Sequence, residues 1–142
     1  MKNFVLAYVS PTLVAFSDVL LLPNFLMPGG EIADDEMPEV AAARFLKEAG
    51  LTASLPDIRV MGVIQHKNEL VHVCHCPIQV NGKEDLDLIG DAFWSPLNEV
   101  MKQGSPVPHS VRLSVALCRA GLTNWAFTND GAIVGLNLEG WQ

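Results

Sequence analysis

The sequence predicts an α/β fold in which helices cover both faces of a mixed sheet. β-prone apolar runs alternate with turn signals, and two segments have helical patterns that begin at proline and end at glycine. The length of 142 residues is that of one domain. We therefore expect a single domain over residues 1–142, with a core over 1–121 and an aromatic C-terminal tail over 122–142.

Three apolar runs lie in the first 27 residues. Residues 4–9 are continuously apolar and β-prone, which suits a strand buried on both faces. Residues 18–22 form a second run that stops at proline and asparagine, and residues 25–27 form a short third run. The Pro28-Gly29-Gly30 sequence that follows predicts a loop.

The first helix is predicted to begin at Pro38 and to stop at Gly50. Proline suits the first turn because its missing N–H has no helical partner there, and glycine favours the C-terminal stop. Apolar residues recur at helical spacing and define one buried face, namely Ala42, Phe45, Leu46 and Ala49.

The middle of the chain predicts a β-hairpin. Residues 58–64 and 70–78 are rich in β-branched side chains, and the polar residues 67–69 between them suit its loop. Residues 86–94 are then predicted to hold a further strand.

Two helices and a tail complete the predicted fold. Residues 95–101 begin a short helix, and residues 108–120 form a second long helix that Gly121 closes. We expect the tail aromatics either to wrap the domain or to form a contact in a homodimer; they are Trp125, Phe127 and Trp141.

The net charge of −7 lies entirely in two short stretches. Residues 31–48 have a net charge of −4 and residues 83–91 a net charge of −3, while the rest of the chain is neutral. Such stretches are either solvated or converge on a cation. With only nine Lys and Arg residues, the chain is not expected to bind nucleic acid or an anionic membrane surface.

The three cysteines are an odd number and do not make a disulfide framework, and Cys74 and Cys76 are too close along one strand to bridge each other. Because no secretory signal is evident, we expect a cytoplasmic protein with free thiols. His72, Cys74 and Cys76 share one face of a predicted strand, and zinc favours such ligands. A fourth ligand is not evident, so small buried thiols are the preferred interpretation.

Residues 27–51 resemble the signature of the Nudix hydrolase superfamily, G-x5-E-x7-R-E-U-x-E-E-x-G-U, in which U is a bulky aliphatic residue. Gly30, Glu36 and Arg44 hold the first three fixed positions, and Gly50 suits the glycine near the end. The segment around Trp94 resembles a tryptophan-containing segment that often follows in Nudix domains. The resemblance implies a Nudix-like α/β/α sandwich with a mixed sheet, and it gives Glu36 and Gly50 structural roles.

The helical part of this signature is degenerate. Counted forward from Arg44, the three glutamate positions of the family fall on Phe45, Glu48 and Ala49. Counted backward from Gly50, they fall on Arg44, Lys47 and Glu48. Both counts leave Glu48 as the one remaining glutamate, and the sequence does not decide between them.

The resemblance implies a site for a nucleotide-like small molecule with Mg²⁺ or Mn²⁺ as the cofactor. Glu48 is the candidate catalytic residue, and the candidate metal ligands are Gly30, Glu48, Glu84 and Asp85. The candidate substrate-binding residues are Gly29, Gly30 and Arg44. Other replacement carboxylates are those of the loop before the helix, Glu31, Asp34, Asp35 and Glu36, together with Asp87.

Three functional hypotheses follow from this degenerate signature. The first is weak or lost Mg²⁺-dependent diphosphatase activity toward a nucleoside diphosphate linked to a group X. The second is an active hydrolase that uses replacement carboxylates. The third is a module that binds a nucleotide or a protein partner without catalysis.

Overall fold

The computed structural model describes residues 2–128. These residues form seven strands and three helices, together with two short 3-10 turns at Leu55–Asp57 and Lys83–Leu86. The strands are β1 (Lys2–Pro11), β2 (Val19–Leu21), β3 (Gly29–Glu31), β4 (Arg59–His66), β5 (Glu69–Ile78), β6 (Phe93–Ser95) and β7 (Trp125–Thr128). The helices are α1 (Pro38–Glu48), α2 (Leu97–Met101) and α3 (His109–Arg119).

The main sheet is mixed, as the sequence predicts. Its five strands have the order β3-β1-β5-β4-β7. Strand β1 runs parallel to β5, and β4 runs parallel to β7, while the β1–β3 and β4–β5 pairs are antiparallel. A separate two-stranded sheet joins β2 to β6.

Helices cover both faces of the main sheet. On one face, α1 packs Ala42 and Leu46 against the sheet residues Val5 and Cys74. On the other face, α3 buries Val111 and Val115 with Met61, Val73 and Trp125 of the sheet. This arrangement confirms the predicted α/β/α sandwich. No helix of residues 2–128 is long and apolar enough to cross a membrane.

The predicted hairpin and helices are confirmed. Strands β4 and β5 pair antiparallel from Arg59–His75 to His66–Glu69, and the turn between them has Lys67 at a φ of 53°. Helix α1 begins at Pro38, and Gly50 follows it at a φ of 91°, which a glycine adopts at low cost.

The loop predicted at Pro28-Gly29-Gly30 is wrong, because Gly29 and Gly30 belong to strand β3. Gly29 pairs with Leu6, and Gly30 pairs with Val5. A Cβ atom at Gly29 would collide with the carbonyl oxygen of Val5. Glycine therefore serves close approach between two strands here, rather than the flexibility of a loop.

The short run at residues 25–27 is a turn rather than a strand. Phe25 has a φ of 63°, and its N–H donates to the carbonyl of Leu22. The strand predicted over residues 86–94 is reduced to β6, since Leu86 ends a 3-10 turn.

The predicted boundary between the core and the tail at residue 121 is too early, because residues 125–128 complete the sheet. Strand β7 pairs with β4, and Trp125 is 1% exposed beneath Gly62, where a Cβ atom would overlap the indole ring. Phe127 stacks on Trp125 with ring centroids 5.5 Å apart. The core therefore extends at least to residue 128, whereas Trp141 lies outside the described residues.

Candidate functional site

The loop before α1 is fastened to the helix by one arginine. Arg44 Nε donates to Glu36 Oε2 at 3.0 Å, and Arg44 Nη2 donates to Glu36 Oε1 at 2.9 Å. Arg44 Nη2 also reaches the carbonyl of Glu31 at 3.3 Å, and the Ala33 N–H donates to Glu36 Oε1 at 2.9 Å. This bidentate arrangement fixes the path of the chain between β3 and α1.

The charges of this pair support the same interpretation. The hydrogen bond from Arg44 and the Ala33 N–H lower the pKa of Glu36, and the hydrogen bond to Glu36 raises the pKa of Arg44. The resemblance gave Arg44 a role in substrate binding. Among residues 2–128, its only ion pair is with Glu36.

Glu48 lines a cavity of about 430 Å³ at the C-terminal end of α1. Asp91 also lines this cavity, together with Asn24, Gly29 and Gly90. Apolar parts of the wall come from Leu22, Pro23, Pro28, Phe45, Ala49, Ile89 and Ala92. One acidic residue from each of the two acidic stretches therefore lines the same cavity.

Phe45 and Ala49 make this part of the helix apolar. The Phe45 ring lies so close to Gly30 that a Cβ atom there would be 2.6 Å from its Cζ. The Arg44 guanidinium lies over the same ring, 4.4 Å from the centroid. Phe45 thus packs between helix and strand, and Glu48 is the only carboxylate that α1 contributes to the cavity.

The structure does not bring Glu84 and Asp85 to this cavity. Both lie in the 3-10 turn at Lys83–Leu86, where Asp85 Oδ2 accepts the Asn81 N–H at 2.7 Å. The loop acids line a different cavity of about 500 Å³ beside Asn3 and His72; they are Glu31, Asp34, Asp35 and Glu36. Sequence reasoning missed Asp91, although its acidic stretch had been identified as a possible source of ligands.

A third cavity lies on the α3 side of β3. It has a volume of about 400 Å³, and its lining is largely apolar, with Phe4, Leu6, Leu26, Met27, Ile64, Val71 and Val111 among its residues. Gly30 belongs to this cavity rather than to the one at Glu48. The two cavities share Leu22, Asn24 and Gly29 and therefore adjoin each other.

The donor groups suit a divalent cation that is shared with a ligand. In the part of the chain that the structure describes, no group of three or more His, Cys, Asp or Glu side chains is placed to hold a metal ion. Glu48 and Asp91 offer two carboxylates, and Mg²⁺ is commonly held by one or two carboxylates together with substrate phosphates.

The three cysteines are buried, and their protonated thiols do not suit metal binding. Cys74, Cys76 and Cys118 are free thiols. Burial raises the pKa of Cys74 and of Cys118 to about 12, and it also raises that of Cys76. Metal binding needs the thiolate, so the protonated thiols fit the interpretation of small core residues.

Several solved structures share this arrangement, among them a hydrolase of the Nudix family from Clostridium perfringens. A mutator MutT protein from Bacillus halodurans has a TM-score of 0.64 at 14% identity, with 98% of each chain covered. An Ap4A hydrolase from C. elegans has a TM-score of 0.62 at 16% identity, covering 85% of this chain and 97% of that one. An ADP-ribose pyrophosphatase from Streptococcus suis has a TM-score of 0.53 at 17% identity, covering 89% and 96%.

These similarities establish that the chain has the Nudix fold, as the resemblance at residues 27–51 implies. No protein-family model and no curated protein sequence matches the chain.

Proposed function

We propose that this chain, built on the Nudix fold, binds a nucleoside diphosphate linked to a group X and has weak or lost Mg²⁺-dependent diphosphatase activity. One observation carries the proposal. Where α1 borders the cavity it presents a single carboxylate, Glu48, between the apolar side chains of Phe45 and Ala49. A retained cavity with few metal ligands favours binding over rapid hydrolysis.

Two adjoining cavities support a nucleotide-like ligand. The cavity beside Leu6 and Val71 suits a flat base, and the cavity at Glu48 has two acidic residues that suit a cation held against phosphates. Asn24 lies at their junction and can donate or accept a hydrogen bond. The names of the two relatives, an Ap4A hydrolase and an ADP-ribose pyrophosphatase, are consistent with this class of ligand.

Phosphate binding in the Glu48 cavity requires a cation. Among residues 2–128 its lining includes Glu48 and Asp91 but no lysine or arginine, so the charged side chains that a diphosphate meets there are acidic. In the proposed complex, Glu48 and Asp91 hold Mg²⁺ or Mn²⁺ against the ligand. When bound, such an ion neutralises phosphate charge and lowers the pKa of water.

Asp91 also favours a second candidate function, slow hydrolysis with replacement carboxylates. It comes from the stretch in which a replacement ligand was expected, although the side chains named in advance lie elsewhere. If this activity is present, Glu48→Gln should lower its rate at least tenfold, a barrier change of about 1.4 kcal/mol.

Thermal unfolding with a panel of nucleoside diphosphate derivatives tests the proposal. We expect a ligand that raises the melting temperature only with Mg²⁺ or Mn²⁺, and that is recovered largely intact. Asp91→Asn should weaken this stabilisation, whereas Asp87→Asn should preserve it because Asp87 does not line the cavity. Stabilisation by no member of the panel would contradict the proposal and favour a protein-interaction module.

The free thiols support a proposal about the cellular compartment of the protein. All three cysteines are free, and such thiols are typical of a reducing compartment. We therefore propose that the protein acts in the cytoplasm. The homodimer suggested by the tail aromatics stays a prediction.

A further inference from the structure

Donor groups from three strands and a helix meet on the α3 face of the sheet. Tyr8 of β1 lies beside His75 of β5, and Arg59 of β4 lies opposite His75. The Tyr8 and His75 rings are stacked with centroids 5.8 Å apart. Arg119, the last residue of α3, donates from Nη1 to Tyr8 Oη at 3.3 Å. We call Tyr8, Arg59, His75 and Arg119 the arginine cluster.

The arginine cluster is separate from the cavities described above. The apolar cavity is lined by Ser110 and Val111 in the first turn of α3, whereas Arg119 ends that helix. Ser110 and Arg119 are nine helical steps apart, a distance of about 13 Å along the helix axis. None of the four residues lines the cavity at Glu48.

The positive charge of the cluster is not neutralised by the described part of the chain. Within residues 2–128 the ion pairs are Glu36–Arg44 and Glu99–Lys102, so Arg59 and Arg119 have no acidic partner there. Both arginines are exposed. In a chain with 16 acidic and nine basic residues, two exposed arginines on the same side of the sheet without a carboxylate partner form a local excess of positive charge.

Another arginine of α3 adds to the unpaired charge. Arg112 precedes Arg119 by seven residues and lies on the same stripe of the helix. Its Nε atom is buried and has no hydrogen-bond acceptor. Carbonyls at the end of α3 are already occupied, because Ala116 and Cys118 accept the N–H groups of Ala120 and Gly121.

The Tyr8 side chain provides a neutral donor beside Arg119, and His75 lies between Tyr8 and Arg59 across the sheet. Its oxygen accepts a hydrogen bond from Arg119, and among residues 2–128 its own O–H has no acceptor. Burial raises the pKa of Tyr8, which keeps this proton in place, and burial lowers the pKa of His75, which keeps its imidazole neutral. The cluster thus offers guanidinium and hydroxyl donors without a matching acceptor.

We propose that Tyr8, Arg59 and Arg119 form a binding site for the phosphoryl group of a small phosphorylated molecule, distinct from the site at Glu48. A phosphoryl dianion accepts several hydrogen bonds, and the planar guanidinium matches its oxygen atoms. The Tyr8 O–H completes the set at the buried end, and the exposed arginines leave the outer side open to the rest of the molecule. Binding here does not need a metal ion.

Titration with inorganic phosphate and with glycerol phosphate, followed by NMR chemical shifts at constant ionic strength, tests this site. We expect saturable shifts at Arg59, His75 and Arg119 in the presence of EDTA, with millimolar affinity. Arg59→Gln and Arg119→Gln should each weaken binding about tenfold, a loss of about 1.4 kcal/mol. Tyr8→Phe should weaken it less, because the ring and its stacking remain.

Lys102→Gln is the matched control, since it makes the same change in net charge on an exposed residue outside the cluster. Glu48→Gln should leave phosphate binding unchanged, so the outcome is independent of the nucleotide site. The tighter of the two compounds identifies whether the site takes free phosphate or a phosphate monoester. The proposal is overturned if neither compound produces saturable shifts, or if Arg59→Gln and Arg119→Gln bind as tightly as Lys102→Gln.

Discussion

The two halves of the segment from β3 to the end of α1 differ in what they contribute to the protein. The first half, from Gly29 to Arg44, retains the close strand pairing and the bidentate Glu36–Arg44 contact that shape the loop. The second half, from Phe45 to Ala49, contributes one carboxylate to the cavity. The first half therefore provides structural contacts, whereas the second half offers a cation a single carboxylate.

This difference shows that the two roles of the segment are physically separable. The Glu36–Arg44 contact and the packing of Ala42 and Leu46 act within the fold and need no ligand. Metal binding depends on the number of carboxylates, and Phe45 offers none while its ring packs against Gly30. The contacts that hold the segment in place are therefore different from the groups that could bind a cation.

The largest expected effect is at Gly29 in the first half. We expect Gly29→Ala to lower the free energy of unfolding by about 3 kcal/mol, because the added methyl collides with the backbone of Val5. Chemical denaturation measures this change. Gly30→Ala is the matched control, since its methyl meets the movable Phe45 ring and should cost less. Equal costs at the two glycines would contradict the close-approach role of Gly29.

In the second half, Glu48→Gln should weaken divalent-dependent ligand binding at least tenfold, or about 1.4 kcal/mol. The substitution keeps the shape of the side chain and removes the charge that a cation requires. Calorimetric titration with Mn²⁺ and the stabilising nucleotide gives the affinity. Undiminished affinity in Glu48→Gln would exclude this carboxylate from the site.

Phe45→Glu should partly reverse the difference between the halves. A second carboxylate on the helix side of the cavity is expected to raise Mn²⁺ affinity about tenfold, and the same titration measures it. Phe45→Gln is the control, because it removes the ring without adding charge. If Phe45→Gln gains as much as Phe45→Glu, the ring blocks the site sterically, and the missing charge is not the cause.

The smallest effect concerns the pH dependence of the first half. The pKa of Glu36 is lower in the folded chain than in the unfolded chain, chiefly through the hydrogen bond from Arg44. Its contribution to stability is therefore fully present above the unfolded pKa and is lost as the pH falls through the folded value. Urea unfolding of the wild type and Glu36→Gln over this acidic range should show a smaller pH dependence in the variant.

Local patterns predicted most of the helices and strands correctly, whereas tertiary pairing decided the elements that were missed. Pro38 and Gly50 mark the ends of the α1 segment in sequence and structure alike. The Pro28-Gly29-Gly30 sequence has the composition of a loop, and β3 exists because β1 pairs with it. Trp125 was placed in a tail because its pairing partner, Gly62, is distant in sequence.

The sequence marked the segment that borders the cavity, whereas the residues that join it there depend on the fold. The spacing of Gly30, Glu36 and Arg44 picked out the segment that the structure forms as β3 and α1. The signal for Asp91 was the acidic stretch at residues 83–91, but which of its residues lines the Glu48 cavity depends on the path of the chain after the 3-10 turn. The apolar cavity has no sequence signature, because its lining comes from several strands, a loop and the first turn of α3.

A phosphorus NMR spectrum of a stabilising nucleoside diphosphate derivative, recorded with the protein and Mg²⁺, tests the central claim most directly. Ligand binding with little or no hydrolysis predicts that the diphosphate signals shift or broaden and that almost no product signals appear. Removing Mg²⁺ with EDTA should return the signals to their free positions. Rapid conversion to products that EDTA and Glu48→Gln abolish would contradict the account, as would a spectrum that the protein leaves unchanged.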